Sequence, residues 1–147
     1  MSRPFPLGGL LRVRERAEER AAAELAEARR REQAARERKR ATREALADSA
    51  LPDGSDRMAW IAAVASRSSL ALLLQEAERD VTAAERRVEE QTQHWSTARR
   101  DVRAIDRLAQ RHEESERALE AHAEQVVLDE VASRRASETT TAPGGGA

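Results

Sequence analysis

The fold is decided by the stretch Leu70-Ala-Leu-Leu-Leu-Gln-Glu-Ala-Glu-Arg-Asp-Val-Thr-Ala-Ala-Glu-Arg-Arg-Val88. Apolar or small residues recur in it at alternating steps of four and three, at Leu70, Leu74, Ala77, Val81, Ala84 and Val88. This spacing predicts an amphipathic helix with a coiled-coil seam. Because the period is seven residues, the supercoil is expected to be left-handed.

The same repeat continues in both directions. One series runs through Trp60, Leu74, Val81, Val88, Trp95, Val102 and Ala109, and the other through Ala63, Leu70, Ala77, Ala84, Ala98, Ile105, Leu119 and Val126. Four polar residues, Arg67, Gln91, His112 and Glu116, fall on the seam. We expect the core of the coiled coil to comprise Trp60, Leu74, Val81, Val88, Trp95 and Val102.

Composition argues against a globular enzyme. Charged residues make up 36% of the chain, whereas two tryptophans and one phenylalanine are its entire aromatic content, so little bulky material can fill a thick core. The chain has no cysteine, no phosphate-binding loop and no nucleophile elbow. We therefore predict no enzymatic activity, no cofactor, no metal and no small-molecule ligand. The chain also lacks an uninterrupted apolar run long enough for a signal peptide or a membrane span.

Prolines and glycines divide the chain into five segments. Pro4, Pro6 and Gly8-Gly9 predict an extended N-terminal segment, whereas Pro52 and Gly54, followed by the potential N-caps Ser55 and Asp56, predict a turn. The predicted segments are 1–9 extended, 10–48 helix, 49–56 turn, 57–136 helix and 137–147 disordered tail.

Two helices joined by a short turn predict an all-α antiparallel coiled-coil hairpin, here with unequal arms. The first helix offers a weaker stripe of Leu10, Ala17, Ala21, Ala28 and Ala35, with Leu25 and Leu46 beside it. If the two helices pair outward from the turn, the first helix ends opposite residues 95–100 of the second. The remainder of the second helix keeps an apolar seam that needs a partner, which a second copy of the chain would also satisfy.

Charge is unevenly distributed. Residues 29–43 contain eight basic and two acidic residues, whereas residues 113–130 contain seven acidic residues and one basic residue. On the expected pairing, the basic stretch lies opposite residues 61–75. Both stretches are interpreted as solvated faces or as docking surfaces for partners.

Two alternative chemistries are disfavoured. The basic stretch resembles the basic region of a zipper DNA-binding protein, but a turn separates it from the regular heptads and the chain contains no asparagine to read adenine, so no nucleic-acid binding is expected. His112 and Glu116 have the spacing of a metal pair on a helix, but they fall on the seam without further ligands. A polar break in the seam is the favoured interpretation.

Three further stretches resemble the FliJ family of flagellar type III export proteins. They are Phe5-Pro-Leu-Gly-Gly-Leu-Leu-Arg-Val-Arg-Glu15, Gln93-His-Trp-Ser-Thr-Ala-Arg-Arg-Asp-Val-Arg-Ala-Ile-Asp-Arg-Leu-Ala-Gln-Arg-His-Glu113 and Asp129-Glu-Val-Ala-Ser-Arg-Arg135. Tryptophans early in the second helix and again five heptads later, at Trp60 and Trp95, are similar to those of the family. The first helix departs from the family pattern in being richer in alanine and arginine and in lacking aromatic residues near the turn.

The resemblance implies a stalk-like export protein. Such proteins engage the ring of the flagellar export ATPase and a membrane export-gate protein, and escort other export chaperones. It also implies a cytoplasmic protein associated peripherally with the inner face of the membrane at the flagellar base. By position, the ring contacts would be Leu10, Leu11, Arg12, Arg14, Ile105, Leu108, Arg111, Leu119 and Val126. The gate contacts would be Leu46, Leu70, Leu73 and Ala77.

Two alternatives remain open from the sequence. One is a coiled-coil scaffold or dimeric chaperone unrelated to flagella, and the other is a rotor stalk of a different ATPase. The oligomeric state and the binding of an ATPase would distinguish them.

Overall fold

A computed structural model describes residues 4–54 and 56–140, with side chains described as far as residue 137. The described chain forms two helices, α1 (Gly8–Asp48) and α2 (Arg57–Thr140), and contains no strand. The helices pack against each other as an all-α hairpin with unequal arms. The expected fold class is therefore confirmed.

Helix α1 begins two residues before the expected position. The amide of Gly8 donates to the Phe5 carbonyl at 3.1 Å, and the amide of Leu11 donates to the Leu7 carbonyl at 2.9 Å. The segment before the helix therefore turns rather than running extended.

Helix α2 has an aspartate at its N-cap. The Asp56 carboxylate accepts hydrogen bonds from the amides of Met58, at 3.0 Å, and Ala59, at 3.3 Å. These bonds satisfy two of the unpaired first-turn amides and place a negative charge at the positive end of the helix dipole. The alternative N-cap, Ser55, lies outside the described residues.

At its other end α2 continues to Thr140, four residues beyond the expected end at residue 136. Ser137 therefore belongs to the helix and not to a disordered tail, and its hydroxyl donates to the Arg134 carbonyl at 2.8 Å. Of the expected tail, residues 141–147 lie outside the described part of the chain.

The chain divides into two compact units. One contains residues 14–101, and the other contains residues 1–13 with 102–147. In the unit formed by residues 14–101, the predicted seam of α2 is the face that packs on α1. Its buried and half-buried positions are Ala63, Arg67, Leu70, Leu74, Ala77, Val81, Ala84, Val88, Gln91, Trp95 and Ala98.

The packing face of α1 differs from the predicted stripe. Its buried residues are Ala21, Leu25, Ala28 and Ala35. Half-buried residues complete the same pattern of alternating three- and four-residue steps, namely Glu18, Glu32, Lys39, Thr42 and Leu46. Leu25 and Leu46 therefore belong to the seam itself. Leu10 is 42% exposed, whereas its neighbour Leu11 is half-buried. The stripe predicted from the sequence follows alanines and omits charged residues whose aliphatic stems can cover the seam.

Ion pairs define the register in this unit. Arg36 contacts Glu85 at 3.0 Å, while Lys39 and Arg43 reach Glu78 at 3.9 and 3.6 Å. The basic stretch therefore lies against residues 78–85 and not against residues 61–75, and α2 carboxylates partly neutralise it.

The shift in register arises at the connection between the helices. Ser49, directly after α1, lies beside Arg67 and not beside the first residues of α2. The first turns of α2 therefore extend past the end of α1. Pairing consequently reaches farther along α2 than expected, since Arg14 contacts Asp101 at 3.3 Å.

In the other unit, the N-terminal segment covers part of the seam of α2. The ring of Phe5 meets the ring of His112 edge to face, with centroids 5.7 Å apart and planes inclined at 62°. Ile105 is buried, with 9% exposure. Every residue from 117 to 137 is exposed.

Candidate interaction surfaces

Residues 117–137 form a surface that we call the exposed arm. Leu119 and Val126 continue the seam of α2 by one heptad, and they are 61% and 51% exposed. Leu128 is 62% exposed and lies about 200° around the helix from Val126, at roughly 100° per residue. The arm therefore presents apolar side chains on opposite sides, which a single packed helix would not cover.

The arm carries four acidic and three basic residues, and its charged side chains pair along the helix. Arg117 pairs with Glu113 at 2.5 Å, and Arg134 pairs with Glu130. The Gln125 amide donates to Asp129 at 2.8 Å. Neighbours four residues apart support the helix where no second helix covers it.

The remaining predicted ring contacts differ in exposure. In the unit that contains the arm, Leu10 and Leu108 are 42% and 44% exposed, and Arg12 and Arg111 are also exposed. Leu11 is half-buried and Ile105 is buried, so these two pack within the hairpin. Arg14 belongs to the other unit, where its guanidinium is held by Asp101.

The predicted gate contacts are a mixture of surface and core. Leu73 is 52% exposed, whereas Leu46 and Leu70 are half-buried and Ala77 is only 8% exposed. Next to Leu73, Leu72 is 67% exposed, although sequence reasoning did not select it. The sequence feature that could have identified Leu72 as a surface residue is its position off the seam, within the leucine-rich stretch 70–74.

We call the exposed residues from Met58 to Leu73 the tip patch. Trp60 belongs to this surface, since it is 49% exposed and not packed in the seam as predicted. The cause is the overhang of α2, which leaves nothing of α1 opposite its first turns. Met58 is 73% exposed, and sequence reasoning did not select it either.

The other predicted core residues lie on the seam. Val81 is buried, and Leu74, Val88, Trp95 and Val102 are half-buried. The guanidinium of Arg99 lies over the Trp95 ring, 5.1 Å from its centroid.

Gln91 shows how the seam accommodates a polar residue. It is buried, and with its amide oriented for hydrogen bonding, its nitrogen donates to Glu24 at 3.0 Å while its oxygen accepts from Arg87 at 3.1 Å. A satisfied polar group of this kind favours one register over its neighbours.

No metal-binding cluster of three or more histidine, aspartate or glutamate side chains occurs within residues 4–54 and 56–140. Helix α2 does reach the length and hydropathy of a membrane-crossing helix, with a mean hydropathy of 1.3 over 18 residues that are not buried. This was not expected from the sequence, where Arg67 interrupts the apolar run. Length and composition alone are weak grounds for a membrane span.

A family model described as the flagellar FliJ protein matches residues 2–140, nearly the whole chain. The chain belongs to the FliJ family. Searches of curated proteins and of solved structures gave no match. Membership makes this FliJ-family chain a non-enzymatic, cytoplasmic component of flagellar protein export.

Proposed function

We propose that this FliJ-family protein acts as a stalk and escort in flagellar type III export. In this function the exposed arm enters the ring of the export ATPase, and the end of the hairpin near the turn contacts the membrane export gate. The same protein would also escort other export chaperones. Family membership and the uncovered seam support the proposal.

The exposure of Leu119 and Val126 is the observation that carries the ring contact. Both continue a heptad seam that is covered elsewhere along α2, and both face solvent. Complete burial of a leucine or valine side chain is worth about 1.5–3 kcal/mol. Two such residues could therefore contribute roughly a hundredfold or more to affinity for a partner.

Exposure also refines the set of ring contacts. Leu10, Arg12, Leu108 and Arg111 are available to a partner together with the arm. Leu11, Ile105 and Arg14 are assigned to holding the hairpin together. A stalk can bias a ring only by contacting its conformational states differently, so these contacts should change as the ATPase turns over.

The ring contact is tested by measuring ATP turnover of the organism's flagellar export ATPase with and without this protein. Wild-type protein should stimulate turnover. The variant Leu119→Glu/Val126→Glu should lose most of the stimulation because it places two charges on the seam.

A matched control is Ala118→Glu/Ala121→Glu, which adds the same charges to exposed positions on the other side of the arm. This control should retain stimulation. Equal stimulation by wild type and by the seam variant would contradict the proposal, as would equal loss in both variants.

For the gate contact, Leu73 is the predicted residue that is available at the surface, while Leu46, Leu70 and Ala77 shape the helix pair beneath it. Leu73→Glu should weaken binding to the purified cytoplasmic part of the gate protein by about tenfold or more. Ala83→Glu, at another exposed α2 position, is the control. Unchanged binding by Leu73→Glu would contradict the proposed gate contact.

A dimeric scaffold is the competing function, because a second copy would also cover the arm. Sedimentation equilibrium distinguishes the two. A largely monomeric protein that binds the ATPase supports the stalk, whereas a stable dimer that does not bind the ATPase supports the scaffold.

A further inference from the structure

The tip patch is unusual in being free of exposed charge. Charged residues form 36% of the chain, so a 16-residue stretch should contain about six of them. Residues 58–73 contain one, Arg67, and its side chain is half-buried and directed to Ser49. Every exposed position from Met58 to Leu73 therefore carries an uncharged side chain.

The apolar side chains of the patch share one face. Met58 and Leu72 are two heptads apart and therefore lie on the same side of α2, with Ile61 between them. Met58 and Leu72 are 73% and 67% exposed, and Ile61 is 44% exposed. Trp60 lies about 200° around the helix from Met58, on the seam side that α1 leaves uncovered, and it has the amphipathic ring that favours the boundary between lipid and water.

The hydropathy of the same segment reaches the level of membrane helices. The most apolar 18 residues of α2 average 1.3, and residues 58–75, with Arg67 as their single charge, are the stretch with this average. From Arg67 onward the opposite side of the segment is engaged within the hairpin, where Leu70 and Leu74 are half-buried and Arg67 binds Ser49, whereas the turns before Arg67 extend past the end of α1. From Arg67 onward only one face is therefore available, as in a helix that lies in a membrane surface.

We propose that the tip patch inserts into the surface of a lipid bilayer, with Met58, Ile61 and Leu72 among the acyl chains and Trp60 at the headgroup level. The segment from residue 49 to residue 75 holds two acidic residues, Asp53 and Asp56, and two basic residues, Arg57 and Arg67. Insertion therefore depends on apolar area and not on attraction to anionic lipid. The bilayer contact is separate from the ring contacts, and the proposed gate residue Leu73 lies in the tip patch about 100° around the helix from Leu72.

Tryptophan fluorescence tests this directly because Trp60 and Trp95 are the only tryptophans in the chain. In the full-length Trp95→Phe variant, emission reports on Trp60 alone. Addition of phosphatidylcholine vesicles should shift the emission to shorter wavelength, and lipids brominated on the acyl chain should quench it. Vesicles that also contain phosphatidylglycerol should bind within about threefold of the same strength, since the segment carries no net charge.

Met58→Glu/Leu72→Glu, made in the Trp95→Phe background, should weaken vesicle binding by about tenfold or more. The matched control is Leu119→Glu/Val126→Glu in the same background, which replaces two exposed apolar residues of the other unit and should bind vesicles normally. Circular dichroism establishes that each variant is folded.

Three results would overturn the proposal. The first is the absence of an emission shift and of co-sedimentation with vesicles. The second is binding that requires anionic lipid and disappears in high salt. The third is a dimer, formed without lipid and lost in Met58→Glu/Leu72→Glu, which would assign the patch to a second copy of the chain. Because vesicle binding is measured without the ATPase or the gate protein, its failure is distinguishable from failure of the stalk function.

Discussion

The guanidinium of Arg67 donates hydrogen bonds to both the backbone carbonyl and the hydroxyl of Ser49, at 3.1 Å for the hydroxyl. A charged residue on the seam of α2 thereby closes the C-terminal end of α1, where backbone carbonyls lack helical partners. The same contact places Ser49 opposite the third turn of α2. One pair of residues thus both caps a helix and marks the register of the hairpin.

Replacing Arg67 should destabilise the hairpin measurably. Arg67→Met keeps the aliphatic stem but removes the donors, and hydrogen bonds to charged groups are worth about 1.5–3 kcal/mol. We expect a loss of about 1 kcal/mol in the free energy of unfolding because the side chain is only half-buried. Urea unfolding followed by circular dichroism measures it. The exposed Arg57→Met should change stability by less than about 0.5 kcal/mol, and an equal loss in both variants would show that the contact with Ser49 contributes nothing.

Leu25 and Leu10 should respond very differently to truncation. Leu25 is 5% exposed and is the only large apolar side chain among the buried residues of α1. Leu25→Ala should cost about 2–3 kcal/mol, near the lower end for buried leucines, since the core is only one layer thick. Leu10→Ala should cost less than about 1 kcal/mol. The same urea titration compares them, and equal costs would show that the exposed Leu10 stabilises the protein as much as Leu25 on the observed seam does.

The stiffness of α2 can be tested at Ala98, which is half-buried on the seam. Ala98→Pro should kink the helix, at a cost of about 3 kcal/mol or more, and abolish stimulation of the export ATPase while leaving much of the helicity. Ala98→Gly, which costs about 1 kcal/mol without removing a hydrogen bond, should retain stimulation. Unchanged stimulation by the proline variant would refute the requirement for a rigid stalk.

The carboxyl of Glu27 should titrate at a lower pH than an ordinary glutamate carboxyl. Hydrogen bonds from Arg30, and then from Arg31, together with their charges, hold the pKa of its carboxyl below the ordinary value. Its contribution to stability is therefore present above the unfolded-state pKa and is lost as the pH falls through the folded-state pKa.

An NMR titration of the Glu27 side-chain carboxyl carbon measures this shift. In Arg30→Gln/Arg31→Gln the pKa should rise toward its ordinary value. The same low pKa in that variant would show that the two arginines are not the cause.

Much of α2 could be predicted because large apolar residues, such as Leu74, Val81 and Val88, recur along its seam at a regular period. Burial from Ala63 to His112 follows the predicted positions, including polar Arg67 and Gln91. Asp56 was also identifiable as an N-cap, since a short acidic side chain follows the Pro52 and Gly54 breaks. In α1, by contrast, abundant alanines make several stripes almost equally apolar. The choice between Leu10 and Leu11 therefore depended on packing.

The sequence by itself determined two helices, the seam of α2, unequal arms and membership of the FliJ family, because these follow from local periodicity and residue pattern. Only the tertiary structure decided how far the helices slide past each other. That offset depends on contacts between residues distant in sequence, such as Arg67 with Ser49 and Arg36 with Glu85. This offset leaves Trp60 and Met58 uncovered at one end of α2. The sequence alone does not determine the offset, because a repeating seven-residue seam can pair in several registers until specific polar contacts select one.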